Sequence, residues 1–341
     1  MSIFQTALTT DKGINITNMS LMVLSALLSF VFPFHLFLFV YAVLGPLHYI
    51  TEMSWLERRS FFIETKSDIW LYLLMSILLT IPAFDPDAYL ARFGVTFLMT
   101  AACFTFIIFF FKQPILKYIT TVVVFFFIYG FNPDTNESTL FWVGIMLPTI
   151  IHVFVFTGLF ILYGALKNKS KTGIASLFVF IACAASLFFF VPSGPSAPVQ
   201  QFVEKSLINF NVINKSLLLL FGLDGSVTNL EQALDFSDNL LFIQPAAIVV
   251  ARFIAFAYTY HYLNWFSKTS VIKWHEVSKK RMILILVIWI GAVVSYLVDY
   301  NFGFKILFLF SMMHVLLEFP LNFITIKGIG IETRALFRKK N

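Results

Sequence analysis

Apolar residues run along this chain in long, nearly unbroken stretches, and the short polar connections between them hold most of the charge. Taking about 20 apolar residues as the length that crosses a bilayer, nine segments stand out. They are approximately Leu21–Ile50, Asp68–Phe84, Ala88–Phe111, Leu116–Phe131, Ser138–Leu166, Thr172–Val191, Asn239–Phe266, Met282–Tyr300 and Phe304–Ile326. No ten-residue alternation of apolar and polar positions supports a barrel. Lipid offers backbone groups no hydrogen-bond partners, so the segments are expected to be helices. The first segment is overlong and contains Pro33 and Pro46. It fits a kinked helix or a helix followed by a re-entrant piece, and whether it crosses once stays open.

Composition agrees with the pattern. Of 341 residues 59% are hydrophobic, 44 are Phe, and 12% are charged, against roughly 25% charged in a soluble domain. A globule must cover its surface with polar groups, and this chain has too few to do so. The fold class expected is therefore all-α: a polytopic membrane bundle of about nine spans, a single domain over 1–341. Cys103 and Cys183 both lie in apolar runs, which excludes a disulfide framework or a Cys-rich metal site. Met1–Ile14 is polar and mixed, so no cleavable signal is expected. There is no Gly-rich phosphate loop, Walker pattern or DNA-reading module, which argues against nucleotide-driven activity and a nucleic-acid partner.

Loop charge sets the expected direction. Arg58, Arg59, Lys66, Lys112, Lys117, Lys167, Lys169, Lys171, Lys268, Lys273, Lys279, Lys280 and Arg281, with five more in the tail after the last span, place 18 of the 24 basic residues on one side. Lys12, Arg92, Lys205, Lys215 and Lys305 fall on the other, and Arg252 lies inside a span. The positive-inside rule then puts the C-terminus in the cytoplasm and, with an odd number of spans, the N-terminus outside. A bacterial cytoplasmic membrane is the expected location. The outer connection at about 192–238 opens with Pro192-Ser-Gly-Pro-Ser-Ala-Pro. Within it Phe202–Leu223 reads either as an interfacial helix acting as a lid or docking element, or as an ordinary packed loop.

Ionisable side chains within spans are costly and mark sites. His48, His152, His261 and His314 lie 10, 15, 7 and 13 residues before the next basic residue of the cytoplasmic side. At 1.5 Å per residue that spread is about 12 Å, so four imidazoles from four spans share the inner half of the bilayer. His35 sits about 20 Å higher than His48 on the same helix, and roughly 220° around it. His275, beside Trp274, reads as a loop residue. Glu52 follows His48, and Glu318 follows His314, by four residues, so each pair shares a helical face. Carboxylates that take the second N–H of a metal-binding imidazole fix its tautomer; Glu52 and Glu318 are expected in that role or as additional ligands. Imidazole-rich sites suit iron, zinc or copper rather than magnesium, and iron is the natural choice for oxygen chemistry. Tyr260, Tyr262 and Trp265 could wall a pocket for an apolar substrate, and Arg252 should find an acidic residue or a carbonyl. Paired histidines could also ligate haem b in an electron carrier with quinone as partner, or serve a proton-coupled transporter.

Gly45-Pro-Leu-His48 with Glu52, Ile150-Ile-His152-Val-Phe, His261 with Trp265, and His314 with Glu318-Phe occur in an order and rough spacing that resemble the Brp/Blh-type beta-carotene-cleaving dioxygenases, which are all-helical membrane proteins. Trp265 stands where that family has a second histidine, and Glu replaces Asp at 52 and 318. The resemblance implies an Fe(II) site held by the four histidines. It also implies oxygenase chemistry with O2 on a lipophilic, isoprenoid or carotenoid, substrate drawn from the lipid bilayer.

Overall fold

The computed structural model describes residues 10–59, 68–194, 199–268 and 277–338. These are all-helical, with no strand among them. In chain order the helices are α1 (Asp11–Val31), α2 (Pro33–Arg59), α3 (Asp68–Phe84), α4 (Gly94–Phe110), α5 (Pro114–Gly130), α6 (Glu137–Lys167), α7 (Lys171–Phe189), α8 (Gln201–Leu207), α9 (Asn211–Phe221), α10 (Leu230–Asp235), α11 (Pro245–Ser267), α12 (Lys279–Val298) and α13 (Tyr300–Arg338). Among the described residues eight helices are long and apolar enough to cross a membrane; α3 and α5 are shorter, at 17 residues each.

The overlong first segment is two helices, and the break has a local cause. Proline clashes with a helical conformation in the residue before it, and Phe32, ahead of Pro33, leaves the helix at φ −130°, ψ 51°. Thr10 caps α1 by accepting from the Gly13 N–H at 3.1 Å, which starts the helix at Asp11, ten residues before the apolar run. α6 is continuous but runs as a π-helix over Leu140–Phe156. Pro148 lies inside that stretch and lacks the N–H an α-helix would need there.

The chain divides into two compact units. The first comprises Met1–Gly45, Thr149–Met282 and Thr325–Asn341; the second comprises Pro46–Pro148 and Ile283–Ile324. In the first unit α1 packs against α7 and α11. Asn18 Oδ1 lies 3.2 Å from the Tyr260 hydroxyl and 2.8 Å from Ser267 Oγ, a polar tie between α1 and the last two turns of α11. At the other end of α1, Phe30 meets Phe190 and lies under the Arg252 guanidinium. α1 therefore runs against α11. α2 follows α11 in the same sense, since Phe37 packs on Tyr258 and Gly45 on Tyr262. Phe32 is thus a turn.

Asn168 donates to the Asp11 carboxylate at 3.1 Å, and Asn15 donates to Ser170 and Thr172. The start of α1 is therefore beside the Lys167–Lys171 turn. Residue 328 of α13 also lies there: a Cβ on Gly328 would collide with the Tyr163 ring.

The second unit holds a buried charge pair that loop counting missed. Lys117 lies in the first turn of α5 with no exposed surface, and its ammonium donates to both Asp68 oxygens, at 3.0 and 2.9 Å. Tyr72, one turn along α3 from Asp68, shares a hydrogen bond with Thr105 of α4 at 3.2 Å. At the far end of α4, Asp134 accepts from the Val95 and Thr96 N–H groups, as a carboxylate does at a helix N-terminus. It is held there by a turn through Asn132 at φ 47°.

Candidate metal centre

Within the second unit His48 and Glu52 are almost wholly buried, and His48 Nε2 lies 3.1 Å from Glu52 Oε2. The i,i+4 spacing makes that contact on one face of α2. A carboxylate accepts, so Nε2 carries the proton and Nδ1 keeps the lone pair. His314 of α13 meets the same imidazole edge to face, with ring centroids 5.4 Å apart, and also packs against Tyr49 at 5.7 Å. Glu318, one turn beyond His314, is buried as well.

Within the first unit His152 and His261 are both buried and their rings lie 5.1 Å apart. His152 projects from the π-helical stretch of α6, a geometry that concentrates at functional sites. His261 has a neighbour that sequence reasoning did not find. Thr157 Oγ1 lies 2.9 Å from His261 Nδ1 and donates its single proton to the Val153 carbonyl at 2.8 Å. With that proton spent, the hydroxyl can offer His261 only a lone pair. Nδ1 must then carry the imidazole proton, and Nε2 is left as the ligand atom.

Each unit thus holds a pair of buried imidazoles, His48 with His314 in the second and His152 with His261 in the first. Buried imidazoles suit iron, zinc or copper.

The other sequence candidates fall elsewhere. His35 is exposed, and His275 lies outside the described residues. Tyr260 is fully buried between Phe180 and Phe256 with its hydroxyl tied to Asn18, so it braces α11. Tyr262 is buried beside His261, with its hydroxyl end on Gly45, where a Cβ would come within 3.2 Å. Trp265 is half-buried. Arg252 finds the carbonyl expected of it, donating to Phe190 O at 2.7 Å. No signal in the sequence singles out Thr157, because its role depends on how α6 is rotated toward α11.

No protein-family model matches this chain, and neither the curated proteins nor the solved structures include one significantly similar to it.

Proposed function

We propose that this chain is a membrane-embedded, histidine-ligated non-haem iron oxygenase acting with O2 on a lipophilic, unsaturated or isoprenoid substrate. The observation that carries the reading is a pair of buried imidazoles in each unit, His48 with His314 and His152 with His261, with Glu52 beside His48 and Thr157 beside His261; in this reading the two pairs share one ion. His152, ring to ring with His261, is the fourth ligand in this reading. When bound, Fe(II) supplies open coordination positions at which O2 can be activated.

The protein's own contribution is positional. Glu52 holds the Nε2 proton of His48, and Thr157 holds the Nδ1 proton of His261, so each ring presents its remaining nitrogen at a fixed angle. The packed helices around them exclude bulk water, which strengthens those contacts and protects reactive species. The resemblance to the Brp/Blh-type dioxygenases supports a lipophilic polyene as substrate; Trp265 in place of a histidine points to a different substrate within that class.

The same reading includes a topology with the 167–171 turn, the start of α1 and the tail in the cytoplasm. Ten helices then cross, and Lys12 joins the basic side, which raises its share to 19 of the 24 Lys and Arg residues. The positive-inside rule is satisfied better than with nine spans.

The test of function uses membranes from expressing cells, loaded anaerobically with Fe(II) and supplied with lipophilic polyenes. Iron-dependent O2 uptake that requires a polyene and is lost in His261→Ala supports the reading. Equal uptake by the wild type and His261→Ala contradicts it. In cells that accumulate beta-carotene, retinal formation would identify carotene itself as a substrate.

A further inference from the structure

The connection between α7 and α11 contains a helical segment that is apolar on two faces. α8 and α9 are joined through a short 3-10 turn, Ile208–Phe210, into a nearly continuous rod over 201–221, ended by Gly222 at φ 58°. One face is buried in the first unit: Val203, Leu207, Phe210, Ile213, Leu217 and Leu218. The opposite face is mostly apolar. Phe202 is 63% exposed, Ile208 55%, Val212 43% and Leu220 37%, and the exposed polar residues are Gln201 and Lys205, both near the start. A helix lying on a soluble surface puts polar residues along its whole outer side; here large apolar side chains take most of it, and a lysine can carry its ammonium to the interface on its own long stem.

Its depth is equally unusual for a loop. Phe210 packs edge to face on Phe37 and Tyr41, with centroids 4.8 and 4.7 Å away. Those residues lie four and eight positions into α2, or about 6 and 12 Å from its N-terminal end. Phe221 packs on Phe253, eight positions into α11 and so also about 12 Å along it, and on Phe188 in the last turn of α7. Phe189 and Phe190, where the candidate span α7 ends, are exposed as well. Backbone at such depth must satisfy its own hydrogen bonds, and helix with a single 3-10 turn does so.

We infer that 201–221 is a re-entrant helix immersed in the leaflet opposite the Lys167–Lys171 turn, with lipid acyl chains covering Phe202, Ile208, Val212 and Leu220. It is not an extramembrane loop, and no partner protein is needed to cover that face. The inference stands apart from the metal centre and does not require it.

The experiment places an environment-sensitive fluorophore on Ile208→Cys and, separately, Val212→Cys, in full-length protein carrying Cys103→Ala and Cys183→Ala. Both labelled positions are exposed, so the label displaces no core contact. A third label at Glu231→Cys, an exposed position in α10, reports the aqueous side. In phosphatidylcholine proteoliposomes the labels at 208 and 212 are expected to emit at shorter wavelength than that at 231. They should be quenched several-fold more by lipids spin-labelled near the glycerol end of the chain than by iodide, with the reverse at 231. Iodide quenching at 208 and 212 equal to that at 231 would overturn the inference by placing the face in water. Protection from both quenchers, with cross-linking between copies through 208, would overturn it by placing a second copy there.

Discussion

Replacing Thr157 with Val removes one hydroxyl and keeps the side-chain shape. In the wild type that hydroxyl accepts from His261 Nδ1 at 2.9 Å because its own proton is committed to Val153 O at 2.8 Å. The variant leaves the His261 Nδ1–H buried without an acceptor from α6. An unsatisfied buried donor costs about 1–3 kcal/mol. The imidazole can relieve that cost by moving its proton to Nε2, which removes the lone pair a metal would use. Either way the penalty falls on metal binding, and it corresponds to the roughly 10–100-fold loss of affinity typical when a supporting partner of a metal-bound histidine is removed. Competition with a chelator of known affinity measures it, with iron quantified on the protein fraction. Thr157→Ser, which keeps the oxygen, should bind like the wild type. Thermal unfolding of the metal-free forms should differ little, since without a metal the ring is free to take the other tautomer. Wild-type affinity in Thr157→Val, or an equal loss in Thr157→Ser, would refute the assignment of the His261 proton.

Three further outcomes follow from the same structure. Glu52→Gln keeps an acceptor for His48 Nε2 but loses the charge, and should lower iron affinity by about 10–100-fold; complete loss of iron would make Glu52 a direct ligand instead. Lys117→Met strips the ammonium from a wholly buried carboxylate and should destabilise the protein by about 3–5 kcal/mol, read as loss of monodisperse protein on heating in detergent. The double variant Asp68→Asn/Lys117→Met should recover most of that. Single cysteines at Lys12 and Arg334, both exposed, should label from the same side of sealed vesicles and Glu231→Cys from the other; labelling of 12 and 334 from opposite sides would restore an odd number of crossings.

Much of this was legible in the sequence, and the misses have physical reasons. Long apolar runs with few charges leave helices in lipid as the only outcome, and the structure is all-helical. The four histidines were singled out by counting residues to the nearest basic loop, since a straight helix converts residue number into depth. What that count could not supply is rotation about the helix axis. Hence Tyr260, adjacent to His261, reads as a pocket residue while its ring points into the α1–α7–α11 core, and Thr157, five residues after His152, carries no mark of its contact with His261. The first segment was left undivided for a different reason. Hydropathy merges α1 and α2 because Phe32 and Pro33 are as apolar as their neighbours, although the restriction that proline places on the preceding residue was visible. The start of α1 was missed because Asp11, Lys12 and Asn15 lower the apolar signal in its first turns. Lys117 was counted as a loop charge because its partner, Asp68, is 49 residues away in sequence.

The central claim is that buried imidazoles from separate helices form one metal site. Elemental analysis of the purified protein tests it, alongside His48→Ala, His261→Ala, His314→Ala and the exposed control His35→Ala, all prepared without added chelator. The account predicts about one iron per wild-type chain, wild-type content in His35→Ala, and at least a tenfold loss in each of the other three with the protein still monodisperse. Equal metal content in all four variants, or a metal-free wild type that takes up no Fe(II) on reconstitution, would contradict it.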